Sequence, residues 1–115
     1  MMKGMRGLAF ALILLTGCMS PQASGVKVIV GAKLEAGAGA APIDYSVVIV
    51  SDGKFHAVGP QASTPVPPGA EMIRGNGMTV EPVPGGNPIQ TGQPANLVLK
   101  GGDKDRVMRN GEWVP

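Results

Sequence analysis

Aromatic side chains are nearly absent: Phe10, Tyr45, Phe55 and Trp113 are the only four among 115 residues. His56 is the single histidine and Cys18 the single cysteine. One histidine excludes a His-x-His metal pair, and it restricts any Ser-His-acid triad to His56. No serine stands with an acid at a plausible spacing from that residue. One cysteine excludes an intrachain disulfide. There is also no apolar run of the roughly 20 residues that a membrane-spanning helix needs. The richest residue type is glycine, with 18 copies, and proline follows with 11. This composition predicts short strands joined by many turns.

What is present begins at the N-terminus. Lys3 and Arg6 stand in a head without acids, Met1 to Gly7. Leu8 to Leu15 is an uncharged apolar run of secretory length. Thr16, Gly17 and Cys18 follow. An aliphatic residue, two small residues and a cysteine resemble a bacterial lipoprotein signal. That resemblance implies cleavage after Gly17 and a lipid on the Cys18 sulfur. Two plainer readings exist, an ordinary signal peptide with an incidental cysteine and an uncleaved anchor helix. The lipoprotein reading makes 1–17 a signal peptide and 18–25 a lipidated tether. A diacylglyceryl group and an N-acyl chain of the palmitate kind would then hold the protein in the cell envelope. Met19, rather than Asp, follows the cysteine, which favours the outer membrane where there are two membranes.

Loss of the leader changes the charge balance. Lys3 and Arg6 leave with it, so ten basic side chains become eight, against eight acids. No basic patch remains to suggest nucleic acid. With Cys18 acylated there is no free thiol, and a redox role is excluded. The expected partners are the membrane, through lipid on Cys18, and a protein of the envelope.

Residues 26–115 read as one all-β domain, a sandwich or partly closed barrel of about eight short strands. The segment 26–34 is rich in β-branched residues and predicts one strand. The loop 35–41 is too small-sided to pack. The runs 45–50 and 54–58 flank Asp52-Gly53, a type I′ hairpin signal. Three prolines make 61–69 an extended surface loop. Residues 71–74, 78–80, 95–100 and 106–109 predict further strands, with 81–94 an irregular connection holding few residues able to pack. Asn110-Gly111 is a second I′ signal, before a last strand over 112–114.

Two groups of segments resemble a known family. Val26–Leu34, Ser46–Pro60 and Val66–Val80 are similar, in that order, to the N-terminal segment of the amidohydrolase superfamily, especially its imidazolonepropionase-like members. Thr91–Lys100 and Asp105–Val114 resemble that family's C-terminal segment. The resemblance implies a composite β-sandwich of the kind that sits beside a metal-binding (β/α)₈ barrel. The family's His-x-His should follow the strand at Met78–Val80. Here Glu81–Gly86 leads instead through Asn87–Gln90 into the C-terminal half. A barrel takes about 200 residues at minimum, and this chain has no room for one. Lys100 and Lys104 lie outside the place of the family's metal-bridging lysine. No catalytic, metal or cofactor residue is carried over. Asn96 stands where the family usually has Asp, a difference expected to act on the sandwich only.

The remaining candidates favour ordinary roles. His56 lacks partners at zinc-ligand spacing and reads as a surface strand residue. Asp103 and Asp105, with Asp52 or Asp44, fit a turn better than a calcium loop. Gly37, Gly39, Gly85 and Gly86 precede no helix start and form no phosphate loop. Tyr45 and Trp113 have two readings, an aromatic contact surface or packing at the core or its edge, and packing is the expected role. The expected function is a lipid-anchored, non-catalytic binding or structural sandwich. The alternative is an accessory or remnant part of an amidohydrolase-type, metal-dependent hydrolase acting on C–N bonds.

Overall fold

The computed structural model describes residues 25–115. The predicted leader and Cys18 lie outside the described residues. Those described form nine short strands and no helix, in two sheets. The all-β sandwich expected from the sequence is therefore the observed class. The extra strand arises because the run predicted over 26–34 is two strands. β1 (Lys27–Val30) belongs to the first sheet and β2 (Lys33–Leu34) to the second.

Glycine makes that change of sheet feasible. Gly31 has φ of 91°, a conformation that a side chain would oppose. The chain repeats the move between β5 (Glu71–Arg74) and β6 (Thr79–Glu81). β5 runs parallel to β1, and β6 runs parallel to β2. The two crossings therefore lie side by side. Their closeness requires a second glycine. A Cβ on Gly75 would stand 2.8 Å from the Ala32 Cβ and 3.1 Å from the Ile29 Cγ2. Ser46, fully buried, ties the corner from the next strand. Its hydroxyl and its amide both donate to the Ala32 carbonyl, at 2.8 and 2.9 Å.

β3 (Ser46–Ser51) and β4 (Lys54–Pro60) form the first predicted hairpin. Asp52 and Gly53 take φ of 55° and 76°, as a type I′ turn requires. The first sheet has the order β4-β3-β1-β5. β7 (Leu97–Lys100), β8 (Arg106–Arg109) and β9 (Glu112–Trp113) complete the second, ordered β2-β6-β7-β8-β9. Asn110 and Gly111, with φ of 50° and 84°, make the second I′ turn. Ile29, Val48, Val50 and Phe55 meet Leu34, Val80, Leu97, Leu99 and Met108 between the sheets. A bulge in β4 serves this core. Phe55 pairs with Val50 and Ala57 with Ile49, so His56 is an extra residue. The extra residue reverses the side-chain parity. Phe55 and Val58 can then both face inward, although three positions apart.

Three connections pack more than their composition suggests. Val66 and Ala70, in and after the proline-rich loop, cover Val28, Val47 and Ile49 on the outer face of the first sheet. That cover explains why β3 is buried on both faces. Ala36, in the loop expected not to pack, is 8% exposed, and its carbonyl accepts a 2.9 Å bond from the Ile89 amide. Ile89 belongs to the connection read as irregular, yet it is 1% exposed in the main core. Its few apolar residues suffice because the chain folds back between the two sheet edges.

Candidate functional site

The structure scatters most of the residues that the sequence singled out. His56 is exposed on the β4 bulge, beside Asp52, Lys54 and Thr91. Asp103 and Asp105 are exposed in the bend between β7 and β8. Asp44 and Asp52 flank opposite ends of β3. Among the described residues, no three of His, Cys, Asp and Glu gather as a metal site would need. Lys100 is held by Glu81 at 3.2 Å. Cys18, the predicted lipidation residue, lies outside the described residues.

Asn96 has a structural task that its sequence position hardly announces. Its Oδ1 accepts from the Asn110 amide at 2.8 Å, and its Nδ2 donates to Asn87 Oδ1 at 3.1 Å. The Gly111 amide donates to the Ala95 carbonyl at 3.0 Å, while the Ala95 amide donates to the Gly53 carbonyl at 2.9 Å. These bonds hold the two I′ turns, one from each sheet, against each other. A Cβ on Gly111 would lie 2.9 Å from the Gly53 Cα.

Trp113 packs at the core edge, as expected. The Arg106 guanidinium sits 4.0 Å from its ring centroid. Its Nε1 is buried and has no acceptor among the described residues. The ring is thus committed to packing and to one cation–π contact.

Tyr45 departs from expectation. It does not pack into the core and is 66% exposed. Its φ is 52°, in the left-handed region. A bulky residue there costs about 1–2 kcal/mol, and strain of this kind gathers at functional sites. Glycine or asparagine would adopt the same backbone more cheaply. The backbone itself is needed, because the Tyr45 carbonyl accepts from the Gln61 amide at 2.9 Å and so starts the covering loop. The ring is not needed for that bond. It forms a ridge between two grooves. Gly31, Lys33, Asp44, Gly77 and Thr79 are among the residues lining one, and Pro60, Gln61 and Ala62 line the other. The first groove has a volume of about 400 Å³ and one side chain of each charge. Strand parity gives no signal for this exposure, because Val47 and Ile49 have the same parity as Tyr45 and are buried.

The topology orients this ridge. The chain joins the first sheet at Val26, whose carbonyl accepts from the Glu71 amide. Tyr45 precedes Ser46 at the other end of β1, where the Gly31 amide bonds to the Ser46 carbonyl. The four residues of β1 separate the two places, a rise of about 13 Å.

No family model matches the chain, and no curated protein is similar to it at a significant level. Solved structures that it partly resembles include molinate hydrolase, with 30% identity and a TM-score of 0.46, and phenylurea hydrolase B, with 38% and 0.45. Each likeness covers 50% of this chain and 12% of the other.

Proposed function

We propose that this chain is a lipid-anchored envelope protein whose β-sandwich binds a partner through the Tyr45 ridge and performs no catalysis. The observation that carries the reading is the exposed Tyr45 ring on a left-handed backbone. The leader pattern ending at Cys18 supports the anchor. The tether would enter at one end of the first sheet and leave Tyr45 at the other. The groove is lined by Lys33, whose ammonium also lies 3.9 Å from Glu35, and by Asp44, so it carries no excess positive charge and suits a neutral, polar partner surface rather than a polyanion.

The reading separates a contact residue from a structural one. Tyr45→Asn keeps a residue that tolerates the left-handed region. Its urea-unfolding free energy should stay within about 1 kcal/mol of the parent, since strain relief offsets the modest burial lost. A loss of about 3 kcal/mol or more, the value for a core aromatic, would make Tyr45 structural and remove the proposed surface.

The second reading, an accessory or remnant part of a metal-dependent hydrolase acting on C–N bonds, draws on the ordered resemblance of the two terminal segments. Metal-dependent hydrolysis by the purified chain, or its isolation with a separate barrel-bearing subunit, would favour that reading.

A further inference from the structure

Two Asn-Gly pairs stand at turns, Asn76-Gly77 and Asn110-Gly111. The pair is chemically special because glycine has no side chain to shield its amide nitrogen. That nitrogen can attack the preceding carboxamide, and asparagine is for this reason among the thermolabile residues. The fold treats the two pairs differently. The Gly111 amide donates to the Ala95 carbonyl at 3.0 Å, and Gly111 is buried against Gly53. The Asn110 amide is held as well, by Asn96 Oδ1 at 2.8 Å. At the other pair, Asn76 and Gly77 are both exposed. The Gly77 amide and the Asn76 carboxamide make no hydrogen bond among the described residues. The carboxamide only lies over Gly31, where an added Cβ would meet its Nδ2, Cγ and Oδ1 at 2.8 to 2.9 Å. No hydrogen bond among the described residues holds it in place.

We infer that Asn76 is a self-modification site, and that the fold protects Asn110 from the same reaction. The Gly77 nitrogen gives up its proton to solvent base and attacks Asn76 Cγ. The Cγ–Nδ2 bond breaks, ammonia leaves, and a succinimide remains. Water then opens the ring. Cleavage between Cγ and the Gly77 nitrogen leaves aspartate. Cleavage at the main-chain carbonyl leaves isoaspartate, with the backbone rerouted through Cβ and Cγ. Overall, one water enters and one ammonia leaves.

Either product places a new carboxylate next to Gly77, which lines the Tyr45 groove. The groove, with Lys33 and Asp44, then carries an excess negative charge. Isoaspartate also lengthens the chain inside the turn closed by the Met78 amide and the Gly75 carbonyl at 2.8 Å. That Met78 carbonyl receives the Lys33 amide at 2.9 Å, so the second crossing between sheets is affected. The effect on binding rests on the reading of Tyr45 given above. The chemistry at Asn76 does not.

The test is peptide mass spectrometry of the full chain, aged in mildly alkaline buffer with and without denaturant. Trypsin separates the two sites. Cutting after Arg74 and Lys100 releases the Asn76 peptide, and cutting after Arg109 releases the Asn110 peptide. Fragment masses distinguish Asn76 from Asn87, whose neighbour Pro88 has no amide hydrogen, and from Asn96. In the folded protein Asn76 should convert roughly tenfold faster than Asn110, the factor set by one protecting hydrogen bond and burial. In denaturant the two rates should converge. Equal rates in the folded protein, faster conversion of Asn110, or an unchanged Asn76 while denatured chains convert would each overturn the inference. Because the readout is mass, a failed Tyr45 surface leaves this result standing, and the reverse also holds.

Discussion

Replacing Cys18 with serine should move the protein from the membrane fraction to the soluble fraction. The proposed anchor depends on a thioether, and a hydroxyl does not replace the thiol in that bond. Each buried CH₂ contributes about 0.8 kcal/mol, and one acyl chain alone binds only marginally, whereas several hold nearly irreversibly. The expected change is therefore close to all-or-none. Folding should be unaffected, because the core of the sandwich is assembled from residues between Ile29 and Met108. Fractionation with a matched urea-unfolding curve checks both halves. Cys18→Ser protein that kept its membrane association after leader removal would refute the lipid anchor.

Gly111→Val should cost roughly 2–5 kcal/mol of stability, about 1–2 from the left-handed backbone and 1–3 from overpacking. The φ of 84° penalises any side chain, and a β-branched one most. The added Cβ would also sit 2.9 Å from the Gly53 Cα and 3.3 Å from the Gly53 nitrogen. Both neighbours are backbone, so they yield only if the two I′ turns separate. Separation strains the bonds through Ala95 and Asn96 that join the sheets at this end. Gly77→Ala provides the contrast. Its φ of 81° carries the same conformational penalty, but an added Cβ meets nothing within 4 Å. Urea unfolding of both variants should show about 1–2 kcal/mol for Gly77→Ala and distinctly more for Gly111→Val. Equal losses would mean that the turns do not bear on each other.

The strands and hairpins were readable because their signals are local. Asp52-Gly53 and Asn110-Gly111 need nothing beyond their own dihedrals to act as I′ turns. The division of 26–34 was not readable, because Gly31 within a β-branched run resembles an ordinary strand glycine. Only the neighbouring crossing at Gly75 shows why the chain must change sheets there. Ile89 was missed for a similar reason. Among prolines and glycines it has no periodicity to mark it, and its burial depends on Ala36, distant in sequence. His56 was placed correctly at the surface, but the bulge that puts it there is a matter of pairing register between two strands. Asn96 and Asn110 meet only when both sheet ends are in position. Tyr45 was misjudged because aromatic residues usually pack, while its exposure follows from lying one residue beyond the segment that the proline-rich loop covers.

The central claim is that Tyr45 meets a partner while Cys18 holds the chain to the membrane. Site-specific photocrosslinking in intact envelopes tests it most directly, with the probe at position 45 and, for comparison, at position 56. Both positions are exposed, and position 45 lies just before β3 while position 56 lies within β4. The account predicts one discrete adduct from position 45 that is absent from position 56. No adduct at 45, or the same adducts from both positions, would contradict it.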